Sequence, residues 1–395
     1  MIRKAGLFLA ALTVLMLGFL QLTYGLGYIA RVYIKQDANF DDFYWKPSVS
    51  IYAPTPRKLR PANFDIEGVE KAFEADANII DLHDFLEKSG TTAFIVIKDG
   101  VQIYESHFRL HEPGEAVATF SVSKSAFSIV LGRAIEAGLI EDIDQPITHY
   151  LPELEARNSE FSNITLAHLI DMRSGIEYDK STTFPFYNQD EPLVYYADDL
   201  RKNVLKYPEI MEPPGNFLYN NYNPNMLGLA LERSSGKSLP DLLQEELWSQ
   251  FGADYDAIWS TDYNGFPLLE SGLVAAPIDL AWFGQAMLDS ANPDTIDPFI
   301  NQEWYERSTQ FTSESNFDAY DGRQWAYKNG WWLILRPDGP PDYAAIGRFG
   351  QFIYVSPRNN VVLVRTGIDT IGLGDGDFTS AFYAASDRLS NRSGH

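Results

Sequence analysis

The stretch from Thr119 to Val130 places the strongest constraint on how this chain can fold. From Ala126 to Ile135 the residues are apolar on nearly every face of the helix that they predict, and such a helix is buried rather than laid on a surface. The fold must therefore supply protein on all sides of it. Ser121 and Lys124 stand at its start on one helical face, where the amine can reach the hydroxyl. The pair predicts a nucleophile beside a base.

A serine and a lysine at this spacing occur twice in the chain. The second match, Ser234 to Lys237, contains Gly236 and follows a helical pattern, so we interpret it as a polar turn. The first match opens a buried helix, where the low dielectric and the positive end of the helix dipole both favour a neutral amine. On this motif alone, an equal alternative is that Ser121 is simply the helix N-cap and that Lys124 caps a surface turn.

Composition excludes several classes of function. The 395 residues are 45% hydrophobic, which is enough for a large core, and the net charge of −23 argues against binding nucleic acid or anionic lipid headgroups. No cysteine is present, which excludes a thiol nucleophile, a cysteine zinc site and disulfides. His107 and His111 have a metal-binding spacing, but they flank a predicted loop, and we expect no metal there.

An apolar run extends from Ala5 to Ala30, preceded by Arg3 and Lys4. It is long enough to cross a bilayer, which takes about 20 residues, and it exceeds the roughly 7–15 apolar residues of a signal peptide. We therefore predict a transmembrane anchor over residues 1–35, with a cleaved signal segment as the alternative. The remainder is expected on the extracytoplasmic side, periplasmic or extracellular, or secreted after cleavage.

Hydrophobic periodicity divides the rest of the chain into a linker arm over residues 36–72 and one domain over 73–395. The domain is predicted to be α+β, with an antiparallel sheet flanked by helices (about 73–139 and 265–395) and an inserted, mostly helical lobe (about 140–264). The predicted elements are a helix over 75–88, a hairpin of strands 92–97 and 101–108 around Asp99-Gly100, a helix over 277–288, strands over 330–335, 351–355 and 361–366, and a last helix over 378–389.

A second chemical element lies between Pro213 and Gly228. Tyr219 can hold or relay a proton, and the amide of Asn221 offers a donor and an acceptor to a substrate carbonyl or to Lys124. The same Tyr-x-Asn pattern recurs at Tyr327 to Asn329, where it predicts a turn before a strand. A tyrosine half-buried at a loop–helix junction is the alternative for Tyr219.

Together these elements resemble the serine β-lactamase and penicillin-binding-protein family, in particular its class C-like branch of family VIII-type esterases and 6-aminohexanoate-dimer hydrolases. The resemblance runs from roughly Phe94 to the last helix. It rests on blocks that follow one another in the order typical of the branch: Ser121 to Lys124, Thr165 to Gly175, Pro213 to Gly228, and Ser271 to Leu273. This order is far more specific than either short motif. No Gly-x-Ser-x-Gly occurs, which argues against an α/β-hydrolase.

The resemblance implies a β-lactamase/transpeptidase-like fold and a role for each motif residue. Ser121 is the acylated nucleophile, Lys124 the base that activates it, Tyr219 the proton shuttle and Asn221 a substrate-binding residue. No metal or cofactor is required. Lysine and tyrosine can serve a serine nucleophile where no histidine is available, so these roles are chemically coherent.

The third family motif differs in this chain. The best candidate is Gly347 to Gln351, similar to the Gly-x-x-Gly-Gln variant of the hydrolase branch. There Gly350 and Gln351 contact the substrate, and the N–H groups of Gln351 and Ser121 form an oxyanion hole. A two-glycine turn before a strand is the alternative. Phe349 replaces the hydroxyl residue with which β-lactamases hold the substrate carboxylate, which argues against penicillin turnover.

The sequence therefore predicts a membrane-tethered serine hydrolase that cleaves an ester or linear amide in a small-molecule or peptide substrate. The alternatives are a D,D-peptidase or β-lactamase acting on peptidoglycan-type substrates, or a catalytically silent membrane-anchored module. Specificity is expected in the helical lobe and the loop over 181–192. We expect most of the aromatic residues near this loop to pack rather than line a pocket: Phe184, Phe186, Tyr187, Tyr195 and Tyr196. No nucleic-acid partner is expected, and the sequence leaves the oligomeric state open.

Overall fold

The computed structural model describes residues 2–54, 60–74, 79–181, 184–312, 316–317 and 322–390. Its helices are α1 Ile2–Thr23, α2 Leu26–Lys35, α3 Ile66–Glu74, α4 Leu82–Lys88, α5 Val122–Glu136, α6 Pro152–Arg157, α7 Leu166–Ile170, α8 Asp190–Tyr195, α9 Leu200–Lys206, α10 Tyr222–Ser235, α11 Leu239–Leu243, α12 Ser249–Phe251, α13 Pro277–Asp289, α14 Gln302–Thr309 and α15 Asp375–Ser390. Its strands are β1 Ser48–Ile51, β2 Thr91–Lys98, β3 Val101–His107, β4 Val117–Ala118, β5 Ala257–Ser260, β6 Leu273–Ala275, β7 Asn316–Phe317, β8 Trp325–Lys328, β9 Trp331–Ile334, β10 Asp342–Gly347, β11 Gln351–Ser356 and β12 Val361–Gly367.

Two antiparallel sheets organise the domain. The larger has eight strands in the order β3-β2-β12-β11-β10-β9-β8-β7, and the smaller has four in the order β1-β5-β6-β4. Helices cover the large sheet on both faces: α5 and α13 on one, and α3, α4 and α15 on the other. This confirms the predicted α+β class with an antiparallel sheet flanked by helices.

The helix that starts after Ser121 lies at the centre of the molecule. One side of α5 faces β10 and β11 of the large sheet, and the other faces α10 and α11 of the helical lobe. From Val122 to Leu131 every residue is buried. The all-round apolar pattern therefore has the physical cause inferred from the sequence, since protein surrounds the helix. The start of α5 emerges where the sheet and the helical lobe meet.

Several elements were predicted correctly from short sequence patterns. The β2–β3 hairpin turns through Asp99 and Gly100, both at positive φ, as an Asp-Gly turn of this type requires. The predicted strands over 351–355 and 361–366 are β11 and β12, and the last helix is α15.

The region before the hairpin differs from the prediction. The single helix expected over 75–88 is confirmed only for Leu82–Lys88, which begins after the N-cap Asp81, while residues 75–78 lie outside the described residues. The preceding helix Ile66–Glu74 lies mostly in the segment predicted as a linker arm (36–72), because the prolines just upstream masked its short pattern. Strands β8 and β10 were also missed, since their partners are set by sheet pairing rather than by local alternation.

The N-terminal residues form two helices rather than one long span. Among the described residues, no single helix is long and apolar enough to cross a bilayer; Ala11–Thr23 and Leu26–Lys35 reach that length only as a pair bent by 89°. The bend falls at Gly25, whose φ is 86°. Tyr28 and Val32 of α2 are buried against the helical lobe. The predicted single-helix anchor is therefore not supported.

A buried ion pair locks one end of the large sheet. Arg336 follows β9 and donates to both carboxylate oxygens of Asp342 at the start of β10, 2.8 and 2.5 Å away, and both side chains are almost fully buried. Ser356 also donates to Asp342. Asp342→Ala is expected to lower the free energy of unfolding by about 3–5 kcal/mol, because it removes the buried carboxylate that Arg336 contacts through two nitrogens and leaves the guanidinium with only the half-exposed Asp387 as a carboxylate partner. Urea unfolding measures the change.

The exposed pair Asp338–Arg358 at the same end of the sheet is the control for this prediction. Asp338→Ala should leave the free energy of unfolding almost unchanged, because water solvates both groups. Equal destabilisation by the two variants would contradict the structural role given to Asp342.

Candidate active site

Ser121 and Lys124 meet at the start of α5. The Lys124 Nζ donates to the Ser121 Oγ over 2.9 Å and to the backbone carbonyl of Glu270 over 2.8 Å. Ser121 occupies the N-cap position, yet its hydroxyl makes no capping hydrogen bond to the helix backbone. The hydroxyl is thus directed to the lysine, and the alternative in which Ser121 serves simply as an N-cap does not describe this geometry.

Burial makes Lys124 a usable base. The side chain is 1% exposed, and this desolvation lowers the pKa of the amine to about 8, with the negative charges of Glu270 and Glu191 opposing the shift. An amine with this pKa is partly neutral at neutral pH. A neutral amine 2.9 Å from a hydroxyl can accept its proton.

Tyr219 lies beside Lys124. The Lys124 Nζ lies 4.7 Å from the centre of the Tyr219 ring, and the Ser121 hydroxyl is near enough to oppose part of the rise in the pKa of the phenol. The ring stacks on Trp332 with 5.6 Å between centroids. Burial raises the pKa of Tyr219 well above its ordinary value, so the phenol is neutral and can donate a proton. The structure thus brings Ser121, Lys124 and Tyr219 together.

Asn221 is placed near this group but does not bond with Lys124. It is the N-cap residue of α10, and its Nδ2 donates to Glu191 over 3.0 Å. Its Oδ1 is buried and has no donor among the described residues. The amide oxygen therefore lacks a donor within the described part of the chain, while the amide nitrogen already has its acceptor.

The turn from Gly347 to Gln351 joins β10 to β11 directly beside the nucleophile helix. A β-carbon at Gly347 would overlap the carbonyl oxygen of Thr119, so this position requires glycine. Phe349 has φ 62° and Gly350 has φ 72°, both in the left-handed region. The ring of Phe349 packs on Phe120 with 5.4 Å between centroids. The turn thereby lies against the residue that precedes Ser121.

A buried arginine holds the turn from the interior of the protein. Arg365, in the middle of β12, donates to the carbonyls of Phe349 and Gly350 over 3.0 and 2.6 Å. Because the C=O and N–H of a trans peptide point in opposite directions, the N–H of Gln351 points away from Arg365. The Gln351 side chain pairs with the backbone of Gly367 through both amide atoms. The side chain of Gln351 is therefore fully engaged within the protein.

Sequence reasoning missed two residues that shape the site. Glu270 is buried; its backbone carbonyl holds Lys124, while its carboxylate accepts hydrogen bonds from Asn225 and Ser271 over 2.8 and 2.9 Å. The signal for Arg365 was a lone charge in an otherwise apolar strand, and the signal for Glu270 was its position just before Ser271 to Leu273. Buried charges of this kind are rare unless they are paired or hydrogen-bonded.

The duplicate motifs have structural roles. Ser234 and Ser235 end α10 before Gly236, which is left-handed, so this second match is the polar turn predicted. Asn329 and Gly330 form the tight turn between β8 and β9, as expected for the second Tyr-x-Asn. Among the aromatic residues near the 181–192 loop, Tyr195 and Tyr196 are buried by packing, as predicted, whereas Phe184 is exposed.

The assembled groups can perform acyl transfer. They comprise a hydroxyl, an amine that can accept its proton, a neutral phenol that can donate one, and a neighbouring turn held by Arg365. Within the described ranges, no three His, Asp or Glu side chains are arranged to hold a metal ion.

Comparison with known proteins places this geometry in context. The Beta-lactamase family model matches residues 82–366, which include every site residue described above. A 6-aminohexanoate-dimer hydrolase of Paenarthrobacter ureafaciens is 27% identical over 303 residues, which is 72% of this chain and 74% of the relative.

Solved structures show the same fold. A putative 6-aminohexanoate-dimer hydrolase from Bacillus anthracis superposes with a TM-score of 0.75 at 21% identity, covering 93% of this chain and 96% of that one. A penicillin binding protein from Bacillus halodurans gives a TM-score of 0.59 at 16% identity, covering 77% of this chain and 99% of that one.

Proposed function

Since the chain belongs to the Beta-lactamase family and is accordingly a serine hydrolase, we propose that it cleaves an ester or a linear amide through an acyl-enzyme on Ser121. The observation that carries the proposal is the 2.9 Å hydrogen bond between Lys124 and Ser121 in a buried setting. A lysine in water is protonated at neutral pH, and desolvation here lowers the pKa of Lys124 to about 8. The pair therefore consists of a hydroxyl nucleophile and an adjacent base that can activate it.

In the proposed first half-reaction, neutral Lys124 takes the proton of Ser121 as its Oγ forms a bond to the substrate carbonyl carbon. The oxygen of that carbonyl becomes an oxyanion, which the N–H groups of Gln351 and Ser121 stabilise. Tyr219 then donates its proton to the departing alkoxide or amine, the C–O or C–N bond breaks, and Lys124 returns the serine proton to Tyr219. An acyl-Ser121 remains.

In the second half-reaction, a water molecule replaces the leaving group. Neutral Lys124 accepts one proton of this water as the water oxygen attacks the acyl carbon, and the same two N–H groups stabilise the second oxyanion. Collapse of the intermediate breaks the acyl–Oγ bond, the proton returns to Ser121, and a carboxylic acid is released. Asn221, with its free amide oxygen, is proposed to bind a substrate N–H.

A linear substrate is favoured over a β-lactam by the third motif. The position that needs a hydroxyl to hold a penicillin carboxylate carries Phe349, whose ring packs between Phe40 and Phe120. An apolar ring offers no hydrogen bond to a carboxylate. The curated relative is named for the hydrolysis of a 6-aminohexanoate dimer, which supports a linear amide as the substrate class.

Covalent labelling tests the proposal. Incubating the full-length protein with a fluorescent fluorophosphonate is expected to label one serine, and peptide mass spectrometry should locate the adduct on Ser121. A fluorescent penicillin should label much more slowly. Folded protein that remains unlabelled by the fluorophosphonate would sink the proposal, and equal labelling by the penicillin would favour a D,D-peptidase or β-lactamase.

Tyr219→Phe is expected to lower kcat by about 10²-fold on a p-nitroanilide and far less on the matching p-nitrophenyl ester. An amine leaving group must be protonated as it departs, whereas p-nitrophenolate leaves without help, so the loss should follow the leaving group. Steady-state kinetics on both substrates measure the difference. The control is Tyr327→Phe in the second Tyr-x-Asn copy, whose buried hydroxyl has no partner among the described residues. Equal losses on both substrates would contradict the role given to Tyr219.

The proposal also places the catalytic domain outside the cytoplasm, with the apolar surface of α1 in contact with a membrane. The apolar side chains of this helix support it, since Leu15, Phe19 and Leu22 are 70%, 64% and 89% exposed and such surfaces are rarely left to water. Arg3 and Lys4 would remain on the cytoplasmic side. Carbonate-resistant pelleting of the full chain, together with protease sensitivity of the domain from the outer side, tests this location.

A further inference from the structure

The segment between α2 and β1, which we call the strap (residues 37–46), contacts both sides of the catalytic cleft. It precedes the residues matched by the family model, which begin at 82. Its first part touches the turn between β10 and β11, and its last part touches the helical lobe at Tyr195. The strap thus joins the two parts of the domain whose meeting point holds Ser121.

On the sheet side, the strap grips the turn by a charge pair and a ring contact. The carboxylate of Asp37 accepts hydrogen bonds from both terminal nitrogens of Arg348, one of them over 2.6 Å. Phe40 meets Phe349 edge to face, with 6.3 Å between ring centroids. Arg348 and Phe349 of the turn are therefore contacted from the solvent side, while Arg365 contacts the turn from the protein interior.

On the helical side, the contacts are buried. Asp42, which is 4% exposed, accepts hydrogen bonds from the Tyr195 hydroxyl over 2.8 Å and from the Trp45 indole over 2.9 Å. Lys46 donates to the carbonyl of Tyr195 over 2.5 Å, and its ammonium lies 3.7 Å from the centre of that ring. These bonds fix the end of the strap, so the position of Asp37 and Phe40 follows from the fold.

The turn needs such support because its backbone is in an unfavourable conformation. Phe349 and Phe120 both have positive φ, at 62° and 50°, which costs free energy for a residue with a side chain. Their rings pack on each other, and the Phe40 ring continues the stack outward. Releasing the strap would let the turn relax and shift the N–H of Gln351.

We propose that the strap is a positioning element of the active site, in which Asp37 and Phe40 hold the Arg348–Gly350 turn so that the Gln351 N–H meets the oxyanion. The inference rests on the proposed function. Because the oxyanion exists in the transition state and not in the bound substrate, loosening the turn lowers kcat more than it raises KM. An ångström-scale displacement at a reacting centre can cost about 10²-fold in rate.

A charge exchange between Asp37 and Arg348 tests the strap. Asp37→Arg alone and Arg348→Asp alone are each expected to lower kcat on a p-nitrophenyl ester about tenfold with little change in KM. The double exchange should restore kcat to within about threefold of the wild type, because the pair is remade with its charges reversed. The melting temperature should stay nearly constant, since an exposed pair contributes little to stability.

The chain contains a matched control. Arg358 and Asp338 form the same kind of pair with side chains 45% and 75% exposed, against 44% and 71% for Arg348 and Asp37. Exchanging the control charges singly should leave kcat unchanged. Single exchanges at Asp37 and Arg348 that leave kcat unchanged, or a double exchange that fails to recover the loss, would overturn the inference.

A second variant separates positioning from charge. Phe40→Ala removes the ring contact without altering any charge, and it is expected to lower kcat severalfold while fluorophosphonate still labels Ser121. Unchanged kcat in this variant counts against the inference. If wild-type protein is never labelled, the proposed function has failed; if it is labelled and turns over ester but the strap variants match it, the strap inference alone has failed.

Discussion

Ser121→Ala is expected to lower kcat for ester hydrolysis by about 10⁵-fold or more, because removing a serine nucleophile also removes the function of the groups that act with it. The side chain supplies the hydroxyl oxygen that accepts the 2.9 Å hydrogen bond from Lys124. Its loss should leave the fold intact, since the hydroxyl makes no capping bond to α5. Rates on a p-nitrophenyl ester, with circular dichroism and the melting temperature, measure both effects.

The matched control for Ser121 is Ser234→Ala, at the second Ser-x-x-Lys. Ser234 ends α10 and donates to the carbonyl of Leu231 over 3.1 Å, so its loss removes a local helix-end contact. Turnover by Ser234→Ala should equal that of the wild type. If Ser121→Ala kept more than about one hundredth of the wild-type kcat, a different nucleophile would have to be sought.

Lys124→Met is expected to lower kcat/KM by about 10⁴-fold, because the methionine keeps the length of the side chain but cannot accept a proton. The control is Lys237→Met, whose ammonium forms an exposed pair with Glu245 and should be dispensable. A fluorophosphonate gives an independent measure, since the labelling rate of Ser121 should fall with the loss of its base. Near-normal labelling of Lys124→Met would show that another group activates the serine.

The same lysine determines the pH dependence of the wild type. The base is the neutral form, and burial lowers the pKa of Lys124 to about 8, so kcat/KM should rise as pH increases and level off above pH 8. An ordinary lysine would place this rise above pH 10. Tyr219 contributes no second rise in this range, because burial raises its pKa further still. A pH–rate profile that is flat from pH 6 to 9 would contradict Lys124 as the base.

Sequence reasoning performed best where structure depends on near neighbours. The Asp99-Gly100 turn, the buried helix after Ser121 and the last helix are each specified by a few consecutive residues or by one periodic pattern. It failed for the helix Ile66–Glu74 and for strands β8 and β10. These segments are short, and they owe their conformation to α15 and to neighbouring strands rather than to their own pattern.

The candidate site divides along the same line. Residues three apart on a helix share a face, so the sequence by itself determined that Lys124 would reach Ser121. The second Ser-x-x-Lys motif, at Ser234, has the same sequence pattern. The two motifs differ in burial, because only the first lies at the start of an enclosed helix. Burial follows from the sheet and the helical lobe that enclose α5, which is a property of the whole fold.

Only the tertiary structure decided how the other groups of the site are placed around Ser121 and Lys124. Glu270 bonds with Lys124 across 146 positions of the chain, and Asp37 bonds with Arg348 across 311. No local pattern encodes such distances, because they result from sheet order and from the docking of α2 on the helical lobe. The sequence by itself determined that Ser121 and Lys124 would meet, since one helical turn sets their separation. How Tyr219, the turn after β10 and the strap are placed around this pair required the folded chain, because packing between distant segments brings them together.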